Sequence, residues 1–256
     1  MKFSIKTAFL YLFISLFISS CVSRKKLVYL QDIDNQKNYD NSLRYEPTLQ
    51  PDDLLNVIVS AENPEVTVPF NLPQIQGNYE LNQSQSNIKT YLIDNDGFIE
   101  FPVVGKVKLG GLTRSQAISL LVEKISVYIR NPIVNLRILN FKISVLGQVA
   151  NPGSFTIASE RITFLEALSL AGDLTVYGTR NNILVIHEEE GKKTYKRIDL
   201  TKVDVLNMEN YYLSQNDIIY VEPNKTSINS SAVGPNTGLY VSGVAILLSF
   251  ILVIRN

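Results

Sequence analysis

The sequence predicts an α+β chain in which two small sheet-plus-helix units are followed by a single C-terminal transmembrane helix. Three observations lead there. Short runs of alternating apolar residues recur between Leu55 and Val221 and read as strands. Two capping boxes, Thr113 with Gln116 and Thr163 with Glu166, each open a short amphipathic helix among those strands. Leu239 to Ile254 carries no charge and closes with Arg255.

At the N-terminus, Lys2 and Lys6 precede an apolar run from Ala8 to Ile18, a signal peptide too short to span a bilayer. Ile18-Ser19-Ser20-Cys21 follows, with small residues before the sole cysteine of the chain. That pattern resembles a bacterial lipobox, which makes residues 1–20 a lipoprotein signal and Cys21 the lipidated first residue of the mature protein. Residues 21–44, rich in Asp, Asn and Lys, read as its tether. Val22 to Lys26 lacks an acidic cluster, which favours an anchor facing the periplasm.

The first unit, residues 45–140, opens on a turn at Pro51-Asp52-Asp53 and a strand through Leu55, Val57 and Val59. Residues 71–90 are crowded with Asn, Gln and Ser and read as a long loop. Asp94-Asn95-Asp96-Gly97 predicts a hairpin between Tyr91-Leu92-Ile93 and Phe98 to Phe101, and Val103, Gly105, Val107 and Leu109 then alternate. The helix capped by Thr113 buries Ala117, Leu121, Ile125 and Tyr128 by spacing and ends before Asn131-Pro132. Val134, Leu136 and Ile138 form the next strand.

The second unit, residues 141–223, begins with a strand at Ile143, Val145 and Gly147 and a turn at Asn151-Pro152-Gly153, where Gly is expected to take a positive φ. The helix capped by Thr163 runs through Leu165, Leu168 and Ala171 and stops at Gly172. Strands at Ile183 to His187 and Thr194 to Leu200 follow. A weak internal repeat relates Leu49 to Val57 (LQPDDLLNV) and Leu213 to Val221 (LSQNDIIYV), so that Asp53 and Asp217 correspond. Their expected role is to bond turn amides ahead of a strand.

Residues 224–238 read as a linker to the terminal helix at 239–254, which at about 1.5 Å per residue is roughly 24 Å long and suits only a thin bilayer. Gly238, Ser242, Ala245 and Ser249 fall on one face of it, a surface a neighbouring helix can approach closely. That face is either a packing stripe on a lone anchor or the inner wall of a ring of helices.

Composition narrows the function. Lys plus Arg equals Asp plus Glu at 24 each, so the surface as a whole has no field of one sign for nucleic acid. One cysteine and one histidine, Cys21 and His187, cannot form a zinc site or a Cys/His nucleophilic pair. Asp32-Ile33-Asp34-Asn35 starts like a calcium loop, but Lys37 and Leu43 stand where it needs glycine and glutamate. Glu188-Glu189-Glu190-Gly191 reads as a solvated hairpin tip. No catalytic constellation, metal site or cofactor is expected.

Taken in order, these segments resemble bacterial outer-membrane polysaccharide export lipoproteins of the capsule and exopolysaccharide type. Leu49 to Val59, Asp96-Gly97, Phe101 to Gly105, Gly111-Leu112-Thr113 and Tyr128 to Pro132 are similar to the export domain. Val145 to Val149, Asn151-Pro152-Gly153, Leu165 to Leu168, Ala171-Gly172, Arg180 to Val185 and Asn216-Asp217 are similar to a soluble-ligand-binding β-grasp domain. The resemblance implies a ring-shaped homo-oligomer with periplasmic domains and helices crossing the outer membrane. It also implies an inner-membrane chain-length regulator or tyrosine kinase as partner, and a polysaccharide passed without chemistry. The rival reading is a lipid-anchored β-grasp module that holds glycan or an assembly partner and forms no pore.

Overall fold

The computed structural model describes residues 27–35, 45–72, 90–189, 191–207, 211–232 and 237–254. Cys21, Lys37, Leu43 and most of the polar segment expected as a loop lie outside these.

Two apolar cores organise the chain. The first is built on β1 (Leu54–Ser60), β2 (Tyr91–Leu92), β3 (Phe98–Phe101), β4 (Gly105–Lys108), α1 (Arg114–Ile125) and β5 (Ile133–Ile138). Antiparallel β1 lies between β2 and β5, with Leu55 opposite Ile138 and Val57 opposite Leu136. Leu55, Val57 and Val59 point inward against Ala117, Leu121 and Ile125 of α1, all buried, so the two-residue period of the strand meets the helical stripe. Thr113 caps α1 with the expected box: its side chain accepts the Gln116 amide, and Gln116 accepts the Thr113 amide at 2.9 Å.

The structure departs from the reading of this half in two places. The turn at Asp94 to Gly97 closes, with the Gly97 amide donating to the Asp94 carbonyl at 2.9 Å, but the strands it joins do not form one hairpin ladder. β2 pairs with β1 and β3 pairs with β4, because Tyr91 gains a partner in the inner sheet at Leu55. Helix α1 ends at Ile125, so Tyr128 falls outside its stripe and is exposed, resting against Phe70 with ring centroids 5.8 Å apart.

The second core is built on β6 (Lys142–Gly147), β7 (Gly153–Thr156), β8 (Ile162–Thr163), α2 (Phe164–Leu170), β9 (Gly178–Glu189), β10 (Lys192–Ile198), β11 (Tyr212–Leu213) and β12 (Ile218–Pro223). Its main sheet runs β10-β9-β12-β6-β7, with β12 parallel to β6 and the other neighbours antiparallel. Phe164, Ala167 and Leu168 of α2 bury against Ile143, Val145, Ile183 and Ile219. The Thr163–Glu166 capping box is formed. Gly153 opens β7 without the positive φ expected of it; in this stretch the left-handed residues are Gly147, Gly172 and Asp173. Glu188 and Glu189 do sit at the β9–β10 hairpin tip, where Gly191 takes φ 74°.

The chain ends in α3 (Lys225–Ala232) and α4 (Thr237–Ile254). Here the expected architecture is corrected. Eighteen residues reach about 27 Å, against a hydrocarbon core of about 30 Å. Thr237, Gly238, Tyr240, Ser242 and Gly243 occupy the first two turns and shorten the apolar length further. Among the described residues no helix is long and apolar enough to cross a membrane, so the fold is mixed α+β without the expected C-terminal transmembrane helix.

Candidate functional site

One residue joins the two units. Asn140 lies two residues past the end of β5, and its side chain reaches back to the turn ahead of β1: Nδ2 donates to the Asp52 carbonyl at 2.8 Å and Oδ1 accepts the Leu54 amide at 2.8 Å. The Asn140 carbonyl meanwhile accepts from Gln215 Nε2 at 2.8 Å, and Gln215 Oε1 accepts the Lys142 amide at 2.7 Å. The turn before β1 and the turn before β12 are therefore fastened to the same linker, one on each side. Tyr45 adds a second fastening from the first unit. Its ring stacks on Tyr212 at 4.9 Å between centroids, and its hydroxyl lies 3.0 Å from Ser214 Oγ.

These contacts hold open a cleft of about 640 Å³ at the junction, in the size range of small-molecule sites. Phe141 and Ile138 line it beside Tyr45, with Pro47 and Ala158 adding apolar surface. Its charged groups are Glu46, Arg114, Arg137, Glu160 and Arg161. Both carboxylates are engaged. Glu46 accepts from the Ser115 hydroxyl at 2.7 Å and the Ser115 amide at 3.1 Å at the start of α1, bonds that hold its carboxyl below the usual range. Glu160 lies 3.4 Å from Arg114, whose Nε donates to the Leu136 carbonyl at 2.8 Å. Arg161 lies over the Tyr212 ring, 5.0 Å from its centroid. The Arg137 side chain projects from the outer face of β5 and, among the described residues, makes no hydrogen bond or ion pair. The cleft thus offers two guanidinium groups, Arg137 and Arg161, that no carboxylate neutralises at contact distance.

The residues singled out by sequence fall elsewhere. Gly238, Ser242, Ala245 and Ser249 are exposed on α4, and the two hydroxyls donate within their own helix, to the Leu239 and Ile246 carbonyls at 3.0 and 2.7 Å. His187 is half-buried, with Nδ1 2.7 Å from Asp217 Oδ1. No group of three or more His, Cys, Asp or Glu among the described residues is placed to hold a metal. The cleft escaped sequence reading because its arginines come from α1, β5 and the segment before β8, and no local pattern connects them.

Residues 41–139 match the family model for polysaccharide biosynthesis/export proteins, and residues 141–221 match the SLBB domain. The chain thus combines a polysaccharide biosynthesis/export domain with an SLBB domain, in that order. Asn140 is the single residue between the two matches, so the junction described above is the seam between the export domain and the SLBB domain. The chain is also similar to the EPS I polysaccharide export outer membrane protein EpsA of Ralstonia solanacearum, at 27% identity over 199 residues, 75% of this chain. The protein of the same name from Ralstonia nicotianae is 26% identical over the same length. The alignment covers 52% of each relative, so the chain spans about half the length of the relatives it matches.

Proposed function

We propose that this chain is a non-enzymatic subunit of an outer-membrane polysaccharide export assembly, anchored by lipid at Cys21 with its two domains in the periplasm. The observation that carries it is the ordered pair of domains, export then SLBB, fastened through Asn140 into a fixed mutual arrangement. A polymer conduit needs a rigid wall with weak, repeated contacts, since tight binding stalls the chain. A surface of exposed side chains on two clamped domains meets that need. The assembly is a closed homo-oligomer that receives polymer from an inner-membrane chain-length regulator or kinase.

The junction cleft favours a second reading, in which the same lipid-anchored chain holds glycan or an assembly partner and encloses no channel. Native mass in mild detergent separates the two. A large uniform oligomer is expected for the conduit, and a stable monomer or dimer supports the binding module. Deleting the gene and measuring surface polysaccharide tests what both readings share: undiminished export sinks them together. Cys21→Ser is expected to block acylation and displace the protein from the membrane, and a lipid label retained on that variant refutes the anchor.

A further inference from the structure

We propose that the cleft at the domain seam is a subsite for a carboxylate-bearing saccharide segment, with Arg137 and Arg161 taking the carboxylate and Tyr45, Pro47 and Ala158 the sugar face. This deepens the export reading and rests on it for the polymer class.

The argument starts from charge. Three arginines and two glutamates border the cleft, but Glu46 is committed to the start of α1 and Glu160 to Arg114. What remains for a ligand is positive: the Arg137 guanidinium, without a partner among the described residues, and that of Arg161, held over an aromatic ring with the Glu166 carboxylate as its nearest counter-charge. A guanidinium presents a planar fork that fits a carboxylate by two parallel bonds, which an ammonium or hydroxyl cannot imitate. The remaining wall is apolar or aromatic apart from Ser159, whose hydroxyl donates to the Arg161 carbonyl at 2.7 Å. Tyr45 is fixed by its stack on Tyr212 and by Ser214, so the surface it lends does not have to be ordered when ligand arrives. Rings and aliphatic groups beside paired cations suit a sugar, whose C–H face is apolar while a uronate or similar substituent is anionic. An acidic peptide would satisfy the arginines but has no need of the apolar wall at Tyr45, Pro47 and Ala158.

Both arginines are exposed to solvent, so their attraction is screened and the complex is weak. That suits a station on a moving polymer.

The test titrates the purified full chain with a glucuronate-containing oligosaccharide and with a neutral oligosaccharide of equal length, following backbone amide shifts by NMR. The expected result is shifts around Tyr45, Arg137 and Arg161 with the acidic ligand, at least tenfold weaker binding of the neutral one, and loss of the preference in Arg137→Gln/Arg161→Gln. Raising salt from 50 to 500 mM weakens the acidic ligand alone. Equal affinity for both sugars, shifts confined to another face, or a response only to an acidic peptide overturns the proposal. Both arginines project outward, so the glutamine variant folds, which its amide spectrum checks. Loss of surface polysaccharide on gene deletion, together with no uronate response in the cleft, leaves export standing and removes this subsite alone.

Discussion

The carboxylate of Asp53 accepts the Gln50 amide at 2.8 Å, and that of Asp217 accepts the Ser214 amide at the same distance. Each residue follows a left-handed position, Asp52 at φ 68° and Asn216 at φ 65°, and each precedes a strand. The same turn has been used twice, but the two copies differ in the other carboxylate oxygen. Asp217 Oδ1 meets His187 at 2.7 Å, whereas Asp53 Oδ1 is buried with no partner among the described residues. Burial without compensation pushes the Asp53 carboxyl up to about 6, against the single bond from Gln50 that pulls it down.

Asp53 should therefore make the fold less stable as pH rises. Below about pH 4 both folded and unfolded states hold the proton. From there to about 6 the unfolded carboxyl ionises while the folded one keeps its proton, so stability falls through this window and levels off above it. Such a displacement corresponds to about 3 kcal/mol. Asp53→Asn keeps an acceptor for Gln50 and removes the titration. Urea unfolding of the two proteins at pH 4 and pH 7 is expected to show the variant gaining about 2–3 kcal/mol on the parent across that interval. A constant difference would show that Asp53 ionises normally.

Asn140 is the fastening whose loss should be felt by both domains. Asn140→Ala removes the donor to the Asp52 carbonyl and the acceptor of the Leu54 amide, an expected cost of about 1–3 kcal/mol. Asn140→Asp separates the two bonds, since a carboxylate still accepts from Leu54 but repels the Asp52 carbonyl. Chemical unfolding should place the variants in the order Asn, Asp, Ala from most to least stable. Indistinguishable midpoints would mean that the stacked Tyr45 and Tyr212 hold the seam unaided.

Gly147 lies where the chain passes closest to itself. Its φ is +88°, and a Cβ there would meet the Val221 carbonyl oxygen at 2.1 Å in the parallel β6–β12 pairing. Backbone atoms cannot yield as a flexible side chain does. Gly147→Ala combines left-handed strain with overpacking and is expected to cost about 3 kcal/mol or more. Gly191, at φ 74° on the hairpin tip with open space around it, is the control: Gly191→Ala carries the strain alone and should cost about 1 kcal/mol. Thermal melts of the pair decide it, and equal losses would remove the steric argument.

Much of this fold is legible where the determinants are local. The two-residue period at Leu55, Val57 and Val59 and at Val134 and Leu136 marks their inward faces, and the Thr113 and Thr163 boxes fix where the helices start. The turn repeat is readable because Asp53 and Asp217 act within three residues of themselves. Pairing over distance is not. The turn at Asp94 to Gly97 specifies a reversal but cannot say that Tyr91 will pair with Leu55, and the cleft depends on Arg114, Arg137 and Arg161 converging from separate elements. The C-terminal helix misled for a different reason: absence of charge over Leu239 to Ile254 marks an apolar segment, while spanning requires apolar length, which the polar residues of its first two turns reduce.

The first described segment of the chain, residues 27–35, is docked on the second core. The Leu30 and Gln31 amides donate to the Leu200 and Thr201 carbonyls at 3.0 and 2.9 Å, and Asp32 Oδ1 accepts the Val203 amide at 2.8 Å. The Tyr29 hydroxyl donates to Asp173 at 2.6 Å, and burial followed by that bond pushes the phenol well above its ordinary range. Tyr29→Phe removes a bond to a carboxylate and is expected to cost about 1.5–3 kcal/mol of docking. That is roughly a tenfold to hundredfold loss of hydrogen-exchange protection at the Leu30 and Gln31 amides, with β9 and β12 unaffected. Unchanged protection at those two amides would show that the backbone pairing and Asp32 hold the segment without Tyr29. Faster exchange throughout the second core would make the contact part of the global fold and not a detachable strap.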